Sequence, residues 1–449
     1  MGADATDMTT GPPLRKVLGF ALPLTAANLL QQGYLLVDGV VVGHWTGVDG
    51  LAAIGAAGPL FYLLNAMFIG LGTAFTIRLA HLRGAGDADA RRGVVLSLAL
   101  VTAVWSVGCV LVATVLVDPA LAVMGLRGQL AHDASVFLST LSLGFPGIFG
   151  TAAVSAYLRG LGDSRTALWV AGFGSVANAA LVLLLVAAWD QGIAGAALAT
   201  AISSTAALVV GLVVAARKYP VARTGGRPAV RRELVDAVRL GFPLASQHII
   251  LALGIMVLVW ILQAFGPVVL AAFSIVARVE QVTAMLFLDF SGAITAFTAQ
   301  NLGADDPPRA RTGLVRTLGL TAVLTVVASA VVLVARGPIA ALFTDDPATR
   351  ALTERYLLII YPFLALYTLM VVLHGYLNGA RRTTAPLICT VIAFLLVQIP
   401  FAYLFHGVFG VEAVMWAVVV GWTAGLTYSV LCLRRVLFGP LVHKEVVPS

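Results

Sequence analysis

Runs of about 20 or more predominantly apolar residues, interrupted only by short polar breaks, dominate this chain, and a hydrocarbon core of about 30 Å requires spans of that length. Dividing the sequence at its breaks gives about twelve: 17–43, 51–80, 93–117, 133–158, 165–189 and 192–216, then 236–263, 268–300, 311–335, 352–378, 384–405 and 411–436. Backbone exposed to lipid must satisfy its own N–H and C=O groups, and barrel strands would show short alternating patterns instead, so these spans are predicted to be α-helices. With 60% hydrophobic and 11% charged residues, the chain falls outside the range of a soluble globular protein.

A net charge of +7 would suit a nucleic-acid partner only if the basic residues formed a patch. They fall instead on alternate loops: Arg15 and Lys16; Arg83, Arg91 and Arg92; Arg159 and Arg165; Arg217 to Arg239; Arg309, Arg311 and Arg316; Arg381 and Arg382; Arg434 and Arg435. The opposite loops hold Arg127, Arg336, Arg350 and Arg355. This is the positive-inside pattern, so both termini are predicted to be cytoplasmic, the protein to lie in a bacterial inner (cell) membrane, and nucleic acid to be no partner. Cys109, Cys389 and Cys432 each sit inside a span without CxxC spacing, which points to packing rather than a disulfide or zinc site.

Laying the second half on the first at an offset near 219 residues reveals an internal repeat. YLRGLGDSRTA (157–167) lies on YLNGARRTTAP (376–386), RGAGDADARRG (83–93) on LGADDPPRARTG (302–313), and Leu22-Pro23-Leu24 on Phe242-Pro243-Leu244 with one residue of slippage. Six spans return the chain to its starting side, so the halves are parallel repeats about an axis along the membrane normal, with a substrate path expected between them. The expected organisation is a tail (1–16), an N-lobe (17–216), a basic linker (217–235), a C-lobe (236–436) and a second tail (437–449).

Ionisable groups inside spans cost about 2.5–3.5 kcal/mol each, so those present need a role. Asp38 stands in GYLLVDGVVVGHWTG with no basic neighbour: it either hydrogen-bonds a packed helix or exchanges a proton or sodium ion. In SIVARVEQVTAMLFLDF, Arg278, Gln281 and Asp289 share one helical stripe and Glu280 points nearly opposite, so Arg278 and Glu280 cannot simply neutralise each other. They pair with other helices or meet substrate. Gln32, Asn65 and His248 are further polar groups within spans, either helix-to-helix glue or cavity lining. No GxxxxGK[ST], HExxH or nucleophile elbow occurs, so neither an ATP-driven machine nor an enzyme is expected.

In combination, several motifs are specific: Pro23, Asp38 and Gly43 in the first span; LAA at 51–53; RGAGDADARR; YLRGLGDSRTA; GIAGAALAT at 192–200; and ARVEQ followed by QNLGA. Over residues 14 to 436 the chain resembles the multidrug and toxic compound extrusion (MATE) transporters. The resemblance implies two six-helix lobes, alternating access, and exchange of a small organic, cationic or amphipathic cargo for H⁺ or Na⁺, in a monomer with no other cofactor. It places the cation site at Asp38, Asn178 and Thr200, with Na⁺ possible at Asp38. The sequence departs from the family where many members carry a second acid one turn after the asparagine, here Val182, and near Gln247 and His248, where some carry a glutamate. One carboxylate favours protons over sodium. The rivals are a lipid-linked saccharide flippase of the same superfamily, disfavoured because Arg278 is nearly the whole cationic content of the central spans, and a membrane-embedded enzyme, disfavoured by the short outer loops.

Overall fold

The computed structural model describes residues 7–123, 127–220 and 229–438. Part of the expected linker (221–228) and nearly all of the second tail (439–449) lie outside the described residues. The first half consists of α1 (Pro13–Trp45), α2 (Gly47–Gly84), α3 (Ala88–Val115), α4 (Val117–Val123), α5 (Gly128–Ser142), α6 (Phe145–Gly160), α7 (Ser164–Val182) and α8 (Gly192–Lys218). The second follows with α9 (Val230–Gln263), α10 (Pro267–Gly303), α11 (Pro307–Val334), α12 (Arg336–Phe343), α13 (Pro347–Ile360), α14 (Leu364–Gly379), α15 (Thr384–Thr390), α16 (Ile399–Phe409) and α17 (Glu412–Phe438). The fold is all-α.

Among the described residues ten helices are long and apolar enough to cross a membrane, and an eleventh counts if the bent pair α5 and α6 is one span. α1 has the length as well, at 33 residues, but Asn28, Gln31, Gln32 and Asp38 dilute its apolar character. Side chains such as Trp169, 77% exposed, and Val334, 84% exposed, would be a liability in water and are at home against lipid.

Two expected spans depart from regular α-helix at a proline. Residues 133–158 bend by 54° between α5 and α6, where Pro146 occupies the first turn of α6 and Gly144 lies so close to Ala201 that a Cβ would be 2.5 Å from its Cα. Residues 352–378 pass through a 3₁₀ turn, Tyr361–Phe363, around Pro362. α9 starts at Val230, six residues before the expected 236: buried Glu233 accepts two bonds from Arg78 of α2, at 2.7 and 2.8 Å, which docks this polar first turn.

The repeat is visible in backbone geometry. Left-handed residues pair at a spacing of 219: Gly47 with Gly266, Gly86 with Asp305, and Gly162 with Arg381. In the turn before α3, Asp87 accepts a bond from Ala90 N at 2.9 Å; before α11, Asp306 does the same for Arg309 N at 3.0 Å. The motif shared by 83–93 and 302–313 is therefore a left-handed turn followed by an aspartate N-cap, which satisfies a free N–H of the first helical turn.

By contacts the chain forms two units, Met1–His248 with Ala296–Ala310, and Ile249–Thr295 with Arg311–Ser449. In the first, Phe68, Phe75, Phe145 and Phe149 form the centre of a core around α2, α3, α5 and α6. In the second, Tyr356, Leu357, Ile360, Tyr361 and Leu364 pack against Val276 of α10 and Met415 of α17.

Candidate functional site

Within the first unit, Val41 and Val42 of α1 pack with Val182 of α7 and Ala196 and Ala199 of α8. α1 and α7 run in the same direction, so one turn back from Val42 and Val182 brings Asp38 and Asn178 to the same level. α8 runs the opposite way, and its next position after Ala199, Thr200, arrives there too. The Asn178 amide donates to Thr200 Oγ1 at 3.2 Å and to Ser203 Oγ at 3.3 Å. Asn178 is 2% exposed. Its Nδ2 is thus satisfied by hydroxyls, but its Oδ1 is buried without a partner, and so is Oδ1 of Asp38.

Two orphaned acceptor oxygens on neighbouring helices are costly, since an unmet buried polar group forfeits about 1–3 kcal/mol. A proton on the carboxylate, or a small cation at either oxygen, would reduce that cost. Beyond Asn178 the helix loosens into a π segment, Leu183–Ala188, a feature frequent at functional sites.

The structure joins Asn178 to Thr200 and to Ser203, which sequence reasoning passed over although it stands one turn beyond Thr200, and places Asp38 one turn from Val42 on the helix packed against them. Of the other predicted residues in this unit, Gln32 is exposed, and Asn65 and His248 are half-buried on α2 and α9.

In the second unit Arg278 and Gln281 are exposed, and Glu280 turns away from both. Val276, Glu280, Thr283 and Phe287 form one stripe of α10, with Val276 and Phe287 buried. Thr283 Oγ1 and Tyr361 Oη are hydrogen-bonded at 3.1 Å, which fixes the neighbour of this stripe. Glu280 interacts electrostatically with Tyr356, Tyr361 and Tyr367, and its buried Oε1 has no hydrogen-bond partner. Sequence gave no sign of these tyrosines, which lie some 75 to 90 residues away. A cleft of about 540 Å³ between Arg336, Arg355, Glu412 and Trp416 contains none of the predicted residues.

A third acid marks the contrast. Asp163, the N-cap of α7 in a basic loop, is 3% exposed and fully engaged: Lys218 Nζ donates at 2.6 Å, Tyr219 Oη at 2.8 Å and Thr166 Oγ1 at 2.6 Å. Burial pulls its carboxyl up, but Lys218 and these hydroxyls hold it below the ordinary carboxylate value.

The sequence model of the MatE family matches residues 23–184 and 243–404, one copy in each half. Over 92% of its length the chain is 26% identical to the probable multidrug resistance protein YoeA of Bacillus subtilis, covering 91% of that protein. It is 25% identical to the probable multidrug resistance protein NorM of Thermotoga maritima, over 87% of this chain and 86% of that one. It is 23% identical to an FAD transporter of Shewanella oneidensis, over 92% and 93%. In fold it is similar to the outward-facing conformation of a multidrug resistance MATE family transporter, with a TM-score of 0.90, 22% identity and coverage of 98% and 99%. A family match in both repeats, on an all-helical body with membrane-length spans, makes this chain a member of the MATE family of transporters.

Proposed function

We propose that this transporter is a secondary antiporter that expels small organic compounds, cationic or amphipathic in character, in exchange for an inward-moving cation held at Asp38. The observation that carries the reading is the pair of unpartnered oxygens, Asp38 Oδ1 and Asn178 Oδ1, in a unit where Asp163 and Glu233 have all the partners they need. A proton suits the site better than sodium, because one carboxylate supplies few anionic oxygens; Na⁺ would use the same atoms. Binding of the cation shifts the protein between its two access states only through its different affinity for them. The multidrug names of YoeA and NorM support a drug-like cargo. In the second unit Glu280 and its tyrosines supply negative charge and aromatic surface suited to a cationic cargo. The proposed setting is a monomer in the bacterial cell membrane, with both termini in the cytoplasm, an orientation that the distribution of basic loops supports.

Purified protein reconstituted in vesicles, with pH and sodium gradients imposed separately, tests this reading. Export driven by the pH gradient alone, and lost in Asp38→Asn, is the expected result; export by that variant at the parental rate would overturn it.

A further inference from the structure

The chain ahead of α1 does not trail away. Asp7 Oδ1 accepts from Thr9 N at 2.8 Å and Thr9 Oγ1 at 2.6 Å, and its Oδ2 from Thr10 Oγ1 at 2.8 Å, folding residues 7–10 into a compact turn. Gly11, in the left-handed region, and Pro12 then lead into α1. Met8 is only 2% exposed. Its N–H donates to Gln300 Oε1 at 3.1 Å, and its carbonyl accepts from Asn301 Nδ2 at 3.2 Å and from the Arg309 guanidinium at 3.2 Å.

The dock is the end of α10 where it meets α2. A Cβ on Gly84 would overlap the carbonyl of Gln300, and a Cβ on Gly303 would overlap the carbonyl of His81, so the two helices cross in backbone contact. The spacing of 219 relates Gly84 to Gly303 and His81 to Gln300, which makes the crossing self-complementary in the manner of a two-fold contact. The leader breaks that symmetry. Asn301 and Arg309, which hold it, correspond to Leu82 and Ala90 in the first half, and neither of those side chains can hold a carbonyl.

Gln300 and Asn301 are 1% and 0% exposed. Were Met8 to leave while the crossing stayed shut, Gln300 Oε1 would lose its donor and Asn301 one of its two acceptors, Phe297 O remaining, with no water at these two buried side chains to replace them. Departure of the leader and opening of the crossing to water are therefore linked events. We infer that residues 7–11 form a latch that holds the α2–α10 crossing closed on the side assigned above to the cytoplasm, and that its release is a step of the transport cycle. The inference rests on the orientation proposed above but on no property of the Asp38 site.

The test uses the full chain with Cys109, Cys389 and Cys432 replaced by alanine and a single reporter, Ala299→Cys, at a fully buried position near the crossing. Met8→Asp, and separately deletion of residues 2–9, are expected to raise the rate of labelling by a membrane-impermeant maleimide from the leader's side by about tenfold, and Met8→Leu to leave it unchanged. Parental labelling rates in both altered leaders would overturn the latch. A second arm removes any dependence on the folding of those variants: Met8→Cys with Gln300→Cys, joined by a short thiol-specific crosslinker, is expected to export at less than a tenth of the rate of the same protein left unlinked. Undiminished export by the linked protein would overturn the inference while leaving the transport reading intact, because the unlinked protein reports on transport itself.

Discussion

Asp38 and Glu280 present the same problem, a buried carboxylate oxygen without a partner on a long membrane helix, in two different settings. Asp38 sits on α1 one turn from Val42, which packs against α7 and α8, and on those two helices Asn178 is bonded to the hydroxyls of Thr200 and Ser203, small groups whose oxygens suit a small cation. Glu280 faces tyrosines, whose rings offer an extended surface of negative potential and whose positions are fixed by packing in the core of the second unit. Small, reorientable ligands suit an ion that comes and goes; rigid aromatic walls suit a larger guest. The repeat did not dictate this division. Offsets of 219 and 220 set Asp38 against Val257 or Leu258, and Glu280 against Phe61 or Leu60, so each acid is particular to its own half. The repeated body thus carries these two acids asymmetrically, one in each half.

That comparison can be broken most directly at Asp38. Asp38→Asn, nearly isosteric but unable to exchange a cation, should lower gradient-driven export in vesicles by at least about 100-fold while leaving yield and melting temperature unchanged. If the amide and hydroxyls serve the ion, Asn178→Leu should raise the half-saturating cation concentration for export by about tenfold, the cost of losing one buried ligand, measured by titrating the driving gradient. Glu280→Gln should act on cargo instead: the KM for a cationic substrate rises by about fivefold with the gradient dependence of export preserved, and a change confined to the gradient dependence would merge the two sites into one task. Asp163, the acid with a full set of partners, gives the smallest and purely structural effect. Its folded-state pKa is depressed, so its contribution to stability is complete above its ordinary value of 3.8 and is lost as pH falls through the lower folded value. Because Lys218 is 48% exposed, Lys218→Met should cost only about 1 kcal/mol in thermal denaturation at neutral pH, and the difference from the parent should shrink in strong acid.

Much of the fold was legible because its determinants are local. Apolar spans declare themselves by length, and the repeated loop motifs encode a left-handed turn and an N-cap whose chemistry does not depend on distant contacts. Asp38 was legible for the same reason, as a charge in an apolar run. The breaks were harder to read: Gly144 and Pro146 look innocuous until Ala201 is seen pressing against the bend. The first turn of α9, written Arg-Arg-Glu inside a basic linker, becomes helical only because Arg78 of another helix meets Glu233. Which face of α10 is covered depends on Thr283 meeting Tyr361, so Glu280 could be assigned a stripe but not its neighbours. Met8 gave no signal at all, since a lone methionine in a polar leader acquires meaning only from residues some 290 positions later.

The measurement closest to the central claim is proton release on substrate binding by purified protein in weakly buffered, sodium-free solution. Parental protein should release about one proton per bound substrate, with the same stoichiometry in Glu280→Gln and none in Asp38→Asn. Undiminished release by Asp38→Asn would contradict the account, because the exchanged proton would then reside elsewhere.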